Sequence, residues 1–441
     1  MSPRFARGAV AASIAIGLVV VTALGGCAGG VVTSTKTTQL GGNADSTSPQ
    51  MTATTHGASV VRIGSLFPLS GDLASSGAEC AAGVELAVSD VNAAGGIRSL
   101  GGAQLAVVPV DSRGKADVAV SLAEELAKKD GVSAIVGTYQ SAVALPVSEK
   151  TEDLKIPLVL SVAAADKITE QGLKFTFRLC AKADWYARDQ VAFLSDPMNL
   201  GGLVVTKVAL MHEDDAFGTA TAASQKKYLA EAGMDVVIEE TYAASTADVH
   251  EQMLKIKSSG AQAVLTATYL SDSLLIVDAY QKLDMQMPLL DAAGGTVVPE
   301  FLQKLGSSAD GVFTELDYAK GQAGSAKGQA GLADVESRFQ SAYKYPMTAN
   351  ALYSYQAVWV IADALERSAS SDPVKLRDAL AATNMLPSSR MVLPQTVLDF
   401  DANGQNRFAQ LFVAQFQDSK PVILWPRDYA GGSAEMPGAA P

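Results

Sequence analysis

VRIGSLF at residues 61–67, SSGAECAAGVELAVSDVNAAGG at 75–96 and AQLAVVPV at 103–110 decide the fold. Two short apolar runs flank a longer amphipathic stretch that ends in glycines, which reads as strand, helix, strand. Short apolar runs alternating with long amphipathic ones are the signature of βαβ units and so of a parallel sheet.

The alternation continues outward from there. A helix over 115–130 leads to the strand SAIVG (133–137), a helix over 141–153 leads to PLVLS (157–161), and FTFRL (175–179) closes this first set. A second set has strands KVALM (207–211), DVVIEE (235–240), AVLTAT (263–268), PLLD (288–291) and GVFTE (311–315), separated by helices of similar length. The expected class is therefore α/β, with two doubly wound, Rossmann-like lobes. Past residue 320 the rhythm changes. GQAGSAKGQAG reads as a flexible loop, ALYSYQAVWVIADALERSA (351–369) as a long helix, and DPVKLRDALAAT opens another with Asp372 as N-cap and Pro373 at its first position. LDFDANGQNRFAQLFVAQFQDSKPVILW (398–425) carries a turn at Asp401-Ala402-Asn403-Gly404 and a second at Gln417-Asp418-Ser419-Lys420, so a hairpin follows. Residues 427–441 read as a frayed tail.

In the other direction, residues 28–59 lack aromatics and are dominated by Gly, Ser, Thr and Ala, so they cannot bury enough apolar surface to fold and read as a tether. Ahead of them Arg4 and Arg7 form a positive end, residues 9–24 are an uncharged apolar run, and Leu24-Gly25-Gly26-Cys27 follows. The run is short for a membrane span, which needs about 20 residues. It is similar to a bacterial lipoprotein signal: residues 1–26 would be removed and Cys27 would carry lipid, leaving the rest outside the cytoplasm on a membrane anchor.

Over the 441 residues, 48% are hydrophobic and 18% charged, a globular composition. The net charge of -12 repels a phosphate backbone, so nucleic acid is not an expected partner. No Gly-x-Ser-x-Gly elbow, phosphate loop, Gly-x-Gly-x-x-Gly or Cys-x-x-Cys occurs, so enzyme readings lack support and no cofactor is expected. His56, His212 and His250 are far apart, and Glu213-Asp214-Asp215 lacks the glycine and alternating acids of a calcium loop, so no metal is expected either. With Cys27 lipidated, Cys80 and Cys180 remain, both toward the cleft side of the first lobe. They form either a disulfide or two small buried thiols.

Val61-Arg62-Ile63-Gly64 leading to Pro68-Leu69-Ser70-Gly71, the string GVELAVSDVNAAGGI (83–97), Gly137 with Ser141-Ala142-Val143-Ala144, Ile156-Pro157-Leu158-Val159, Asp214-Asp215-Ala216-Phe217-Gly218, and Phe400-Asp401 with Gly404 recur in order over residues 60–426. In these the chain resembles the periplasmic leucine/isoleucine/valine-binding protein family, the substrate-binding components of ABC importers. The resemblance implies a type I periplasmic binding fold, two lobes joined by three hinge crossovers near 180–186, 315–320 and 393–399. Lobe 1 would then hold residues 60–182 and 318–395, and lobe 2 residues 183–317 and 396–426. It further implies a non-catalytic monomer that closes on a small solute and presents it to an ABC permease. A sensor reporting to a membrane receptor is the competing reading, and an enzyme on a Rossmann-like fold a third.

Ligands of open α/β sheets bind beyond the carboxyl ends of the strands, where helix N-termini favour an anion. By resemblance Ser141, beside Gln140, holds an amino acid's α-carboxylate, with Ser161, Ala163 and Ala164 on the next loop, while Phe217 and Tyr269 cover the ligand from the second lobe. Ser141 also reads as a plain helix N-cap, and the two aromatics as core. Two departures bear on the ligand. Ala163-Ala164-Ala165 stands where the family has a threonine, and Asp291-Ala292-Ala293-Gly294-Gly295 has alanine where the family has a glutamate for the ligand ammonium. Asp291, Glu315 or Asp317 is the replacement acid, or the ligand is a small amide, carboxylate or aromatic acid without ammonium.

Overall fold

A computed structural model of the chain describes residues 59–318 and 331–436. The signal, Cys27, the tether apart from Ser59, residues 319–330, which hold all but Gly331 of the loop expected there, and residues 437–441 lie outside the described residues.

The first sheet contains β1 (Val60–Phe67), β2 (Gln104–Asp111), β3 (Ala134–Gly137), β4 (Leu158–Leu160) and β5 (Thr176–Arg178), all parallel in the order β2-β1-β3-β4-β5. Between them run α1 (Ala74–Ala93), α2 (Ala116–Lys128), α3 (Ser141–Leu154) and the single turn α4 (Lys167–Glu170). Every residue of β3, β4 and β5 is buried, as a sheet covered by helices on both faces requires.

The second lobe begins with α5 (Ala183–Ser195). It alternates β6 (Lys207–Glu213), α6 (Ala216–Glu231), β7 (Asp235–Tyr242), α7 (His250–Ser258), β8 (Ala263–Ala267), α8 (Leu270–Lys282), β9 (Leu289–Asp291), α9 (Pro299–Leu305) and β10 (Phe313–Leu316). The chain then returns to the first lobe with α10 (Leu332–Tyr343), which the sequence reading did not single out, α11 (Ala349–Ser368) and α12 (Pro373–Ala381). Asp372 caps α12 as expected, its side chain accepting from the Val374 and Lys375 amides. Helix α11 is buried along most of its length and packs directly on α1. At Gly83 of α1 a Cβ would stand 2.1 Å from the Ala351 carbonyl oxygen, so only glycine permits this approach.

A two-residue pair, β11 (Asn384–Met385) with β12 (Leu398–Asp399), precedes the hairpin of β13 (Phe412–Gln417) and β14 (Lys420–Trp425). This hairpin adds antiparallel strands to the edge of the second sheet, whose order is β14-β13-β10-β9-β8-β6-β7.

The chain crosses between the lobes three times. The first passage follows β5 and the second follows β10. The third runs through 400–411, later than 393–399, because Leu398 and Met385 still pair within the core that contains α1 and α11. The expected frayed tail is also corrected for residues 427–436. Gln415 exchanges hydrogen bonds with the Glu435 backbone (2.8 and 2.7 Å), Gln417 Nε2 donates to the Ser433 carbonyl (2.8 Å), and Met436 packs beside Leu424.

Candidate functional site

A cavity of about 520 Å³, counting its open mouth, lies between the two sheets at the carboxyl ends of their strands. The loop from β3 delivers Tyr139 and Ser141, and the loop from β4 delivers Ser161, Val162 and Ala164. The start of α11 supplies Asn350 and Tyr353, and the second lobe supplies Tyr186, Phe217, Tyr269 and residues 292–294. Asp317, on the second passage, is the only charged residue of the lining among the described residues.

The first-lobe wall offers hydrogen-bond donors. Ser141 is buried and is the first residue of α3 rather than its cap, Gln140 holding that position. Its hydroxyl accepts from the Ala165 amide (3.1 Å), which leaves its proton free to donate. Behind the loop lies Arg178, wholly buried, with Nη1 donating to the carbonyls of Ala165 (2.7 Å) and Ala163 (3.4 Å), Nη2 to Thr169 Oγ1 (2.8 Å) and Nε to Gln405 Oε1 (2.5 Å). In a trans peptide the N–H points opposite to the preceding carbonyl. Drawing Ala163 C=O back to Arg178 therefore turns the Ala164 N–H away from it, and Ala164 lines the cavity.

The second-lobe wall is aromatic. The Phe217 and Tyr269 rings lie 5.9 Å apart, and Tyr139 reaches from the first lobe to within 5.9 Å of Tyr269. Tyr269 is fixed by its hydroxyl donating to Asp215 Oδ2 (3.0 Å) and its amide to Asp272 (3.0 Å).

Asp317 accepts from the Tyr186 hydroxyl through Oδ2 (2.6 Å), while its Oδ1 and the Tyr353 hydroxyl are buried with no partner. Burial pushes the Asp317 carboxyl up to about 6. At the floor, Glu79 accepts from Thr348 Oγ1 (2.9 Å) and Asn350 Nδ2 (3.0 Å), fixing which way the Asn350 amide faces; burial pushes Glu79 up to about 7.

Of the residues expected at the site, Ser141, Ser161, Ala164, Phe217 and Tyr269 line this cavity, and three do not. Gln140 faces the neighbouring cavity. Ala163 is covered, its carbonyl taken by Arg178 and Cys180 Sγ (3.8 Å). Asp291 is caged by the hydroxyls of Thr266 (2.8 Å), Thr268 (2.9 Å) and Thr296 (2.9 Å), so it braces the turn behind the cavity instead of facing it. The disulfide reading is also corrected: Cys80 and Cys180 are both free and buried, Cys180 lining the cavity. Tyr139, Tyr186, Asn350 and Tyr353 were missed. An aromatic next to Ser141 was the one readable signal, since nothing in the spacing says that α11 returns to the cleft.

Residues 60–421 match the family described as Periplasmic binding protein. The chain is 30% identical over 391 residues to Leu/Ile/Val-binding protein homolog 8 of Brucella suis biovar 1 (strain 1330), covering 86% of this chain and 94% of that one. Among solved structures it is similar to the branched-chain amino acid transporter substrate binding protein of Streptococcus pneumoniae in complex with isoleucine, with a TM-score of 0.71 and 21% identity over 82% of this chain and 97% of that one. It is similar too to an ABC transporter solute binding protein of R. palustris in complex with benzoate, with a TM-score of 0.72 and 21% identity over 87% of this chain and 100% of that one. At such identities the solved structures speak to the fold alone.

Proposed function

The chain belongs to the periplasmic leucine/isoleucine/valine-binding protein family, and on that premise we propose that it is an extracytoplasmic solute-binding protein that delivers a small zwitterionic amino acid to an ABC permease. The observation that carries this reading is the pairing of opposite demands in one cavity. Asp317 presents a carboxylate oxygen without a partner, and the wall backed by Arg178 presents the Ser141 hydroxyl, whose proton is free, beside Ala164. An ammonium satisfies the first and a carboxylate the second, and the aromatic wall takes an apolar side chain. The relatives' name, Leu/Ile/Val-binding protein, supports a branched-chain side chain.

A benzoate-like acid is the second reading. Alanine at 293 and the rings of Tyr139, Phe217 and Tyr269 favour it, as does the benzoate held by one structural neighbour. Asp317→Asn separates the two in a calorimetric titration. It weakens L-isoleucine by roughly 10- to 150-fold, the loss of one charge-assisted contact, and leaves benzoate equal or tighter because a repelling charge is gone. Tight benzoate and no L-isoleucine binding in the unsubstituted protein would reverse the assignment.

The same reading places the protein on the membrane through lipid on Cys27, leaving the chain from residue 28 as a tether to the folded body. No helix among the described residues is long and apolar enough to cross a membrane. Cys27→Ser is expected in the soluble fraction or as unprocessed precursor, with no lipid label; label retained in the membrane pellet would remove this part.

A further inference from the structure

Beside the main cavity lies a second one, of about 570 Å³ counting its open mouth, again walled by both lobes. Asp72, Arg113 and Gln140 line it from the first lobe, Glu213 and Ser271 from the second, and Tyr269 stands between the two cavities, lining both. The acids around it differ in one respect. Asp215 is satisfied by the Gly218 amide (2.7 Å) and the Tyr269 hydroxyl, and Asp272 by the Tyr242 hydroxyl (2.5 Å) and the Tyr269 amide. Glu213, the last residue of β6, is only 9% exposed, and its carboxyl receives no hydrogen bond among the described residues. The carboxyl opens onto the cavity, so its donor comes from water or from a ligand there, none being provided by the described residues.

We propose that this cavity is a second binding site, which takes an ammonium or guanidinium group on Glu213. The field favours a cation. Asp215 and Asp272 act on Glu213 from α6 and α8, Asp72 adds a carboxylate across the gap, and the neighbouring His212 is turned to Glu239 (3.3 Å). Arg113, exposed on the rim, is the only positive residue of the lining. Burial first, then the two aspartates, pushes Glu213 up to about 8, so at pH 7 the empty site is mostly protonated and a bound cation displaces close to one proton. The cation has two possible sources: a free small amine, or the basic end of an amino acid whose head occupies the main cavity. The second source rests on the reading of that cavity given above.

Isothermal titration of the full chain at pH 7, in buffers of different ionisation enthalpy, tests the site with n-butylammonium, L-norleucine and L-lysine as probes. For a free amine, n-butylammonium binds with release of nearly one proton, and Glu213→Gln weakens it at least about tenfold and abolishes the buffer dependence. For a tethered cation, L-lysine binds at least about tenfold tighter than L-norleucine, which lacks only the terminal ammonium, and Glu213→Gln erases that advantage. Arg113→Ala, on the exposed rim and harmless to the fold, tightens whichever cation binds. Absence of any cation preference in the unsubstituted protein, or a preference unchanged in both variants, overturns the proposal. Binding of n-butylammonium without binding of L-norleucine would instead remove the amino-acid reading of the main cavity and leave this site standing.

Discussion

Arg178 is fully buried, and none of its hydrogen bonds goes to a carboxylate. Asp166 and Glu170 act on it only at longer range. A guanidinium stays charged in a protein, so its desolvation is offset by neutral acceptors and by whatever anion occupies the loop it supports. Lysine keeps the charge and loses the fork, and one ammonium cannot reach four acceptors spread over a loop, α4 and the third passage. Arg178→Lys is therefore expected to destabilise the fold by about 1–3 kcal/mol, from carbonyls left unpaired, and to weaken L-isoleucine beyond any loss of folded protein. Calorimetry on the folded fraction checks this, and an affinity unchanged beside a lowered Tm would reduce Arg178 to a brace. In the sequence the residue is legible only as a charge inside the apolar run FTFRL. Ser141, Ser161 and Ala164 were legible through the family's order of motifs. The replacement acid stayed one of three in the sequence because side-chain direction decides it. Asp291 went to the threonines, Glu315 is buried with both oxygens unpartnered, and Asp317 alone reaches the cavity.

At the scale of elements, strands read from apolar runs agree with the structure to within a residue or two. A parallel strand buried on both faces has no alternation to misread, and helices on either side fix its ends. What escaped were features set by distant partners. Helix α10 carries Asp334 and Arg338, whose guanidinium pairs with Asp90 of α1 (2.5 Å), and its apolar side is just Leu332, Val335 and Phe339. The start of the third passage escaped for the same reason: Leu398-Asp399 pairs with Asn384-Met385, and a two-residue ladder has too few side chains to show a period. Ser141 as the first helical residue in place of the cap is an error of one position, yet it changes the chemistry. A cap hydroxyl would accept from its own helix, whereas this one accepts from the Ala165 amide and so ties α3 to the next loop, its proton remaining a donor in either role.

The whole molecule carries an unusual load of buried acids. Burial pushes Glu79 and Asp272 up to about 7, Asp291 and Asp317 up to about 6, and Glu315 well above the usual range. In the unfolded chain these groups titrate near 4. The native state therefore holds their protons more tightly, and this part of the stability is full below about pH 4 and is lost as pH rises toward 7, on the order of 1–3 kcal/mol for each well-buried group. Carboxyls held low by partners, such as Asp111 and Glu239, act in the opposite sense, but they are solvated and screened. The free protein is expected to melt several degrees higher at pH 5 than at pH 8 in a thermal scan. A higher Tm at pH 8 would mean that these carboxyls are hydrated in solution.

Motion belongs to the same scale. The end of β5 and the third passage form a short parallel ribbon, in which the Arg178 amide donates to the Gly404 carbonyl (2.8 Å) and the Asn406 amide to the Arg178 carbonyl (2.9 Å). Gly404 has φ +78 and lies where a Cβ would stand 2.0 Å from the Thr176 carbonyl oxygen, so only glycine lets the two segments approach this closely. Asp317, on the second passage, ties to Tyr186 just beyond the first. A solute held by Ser141 and Asn350 on one side and by Phe217 and Tyr269 on the other touches both lobes, and those contacts favour a shut state over a parted one. Saturating L-isoleucine should lower the radius of gyration in solution scattering. At 100 times its Kd it should also add about 2.7 kcal/mol to stability. Stabilisation without compaction would show that the free protein is already shut, and that solute enters through brief openings. Compaction with stabilisation would show the ligand bending the ribbon, which is the change of shape a permease could read.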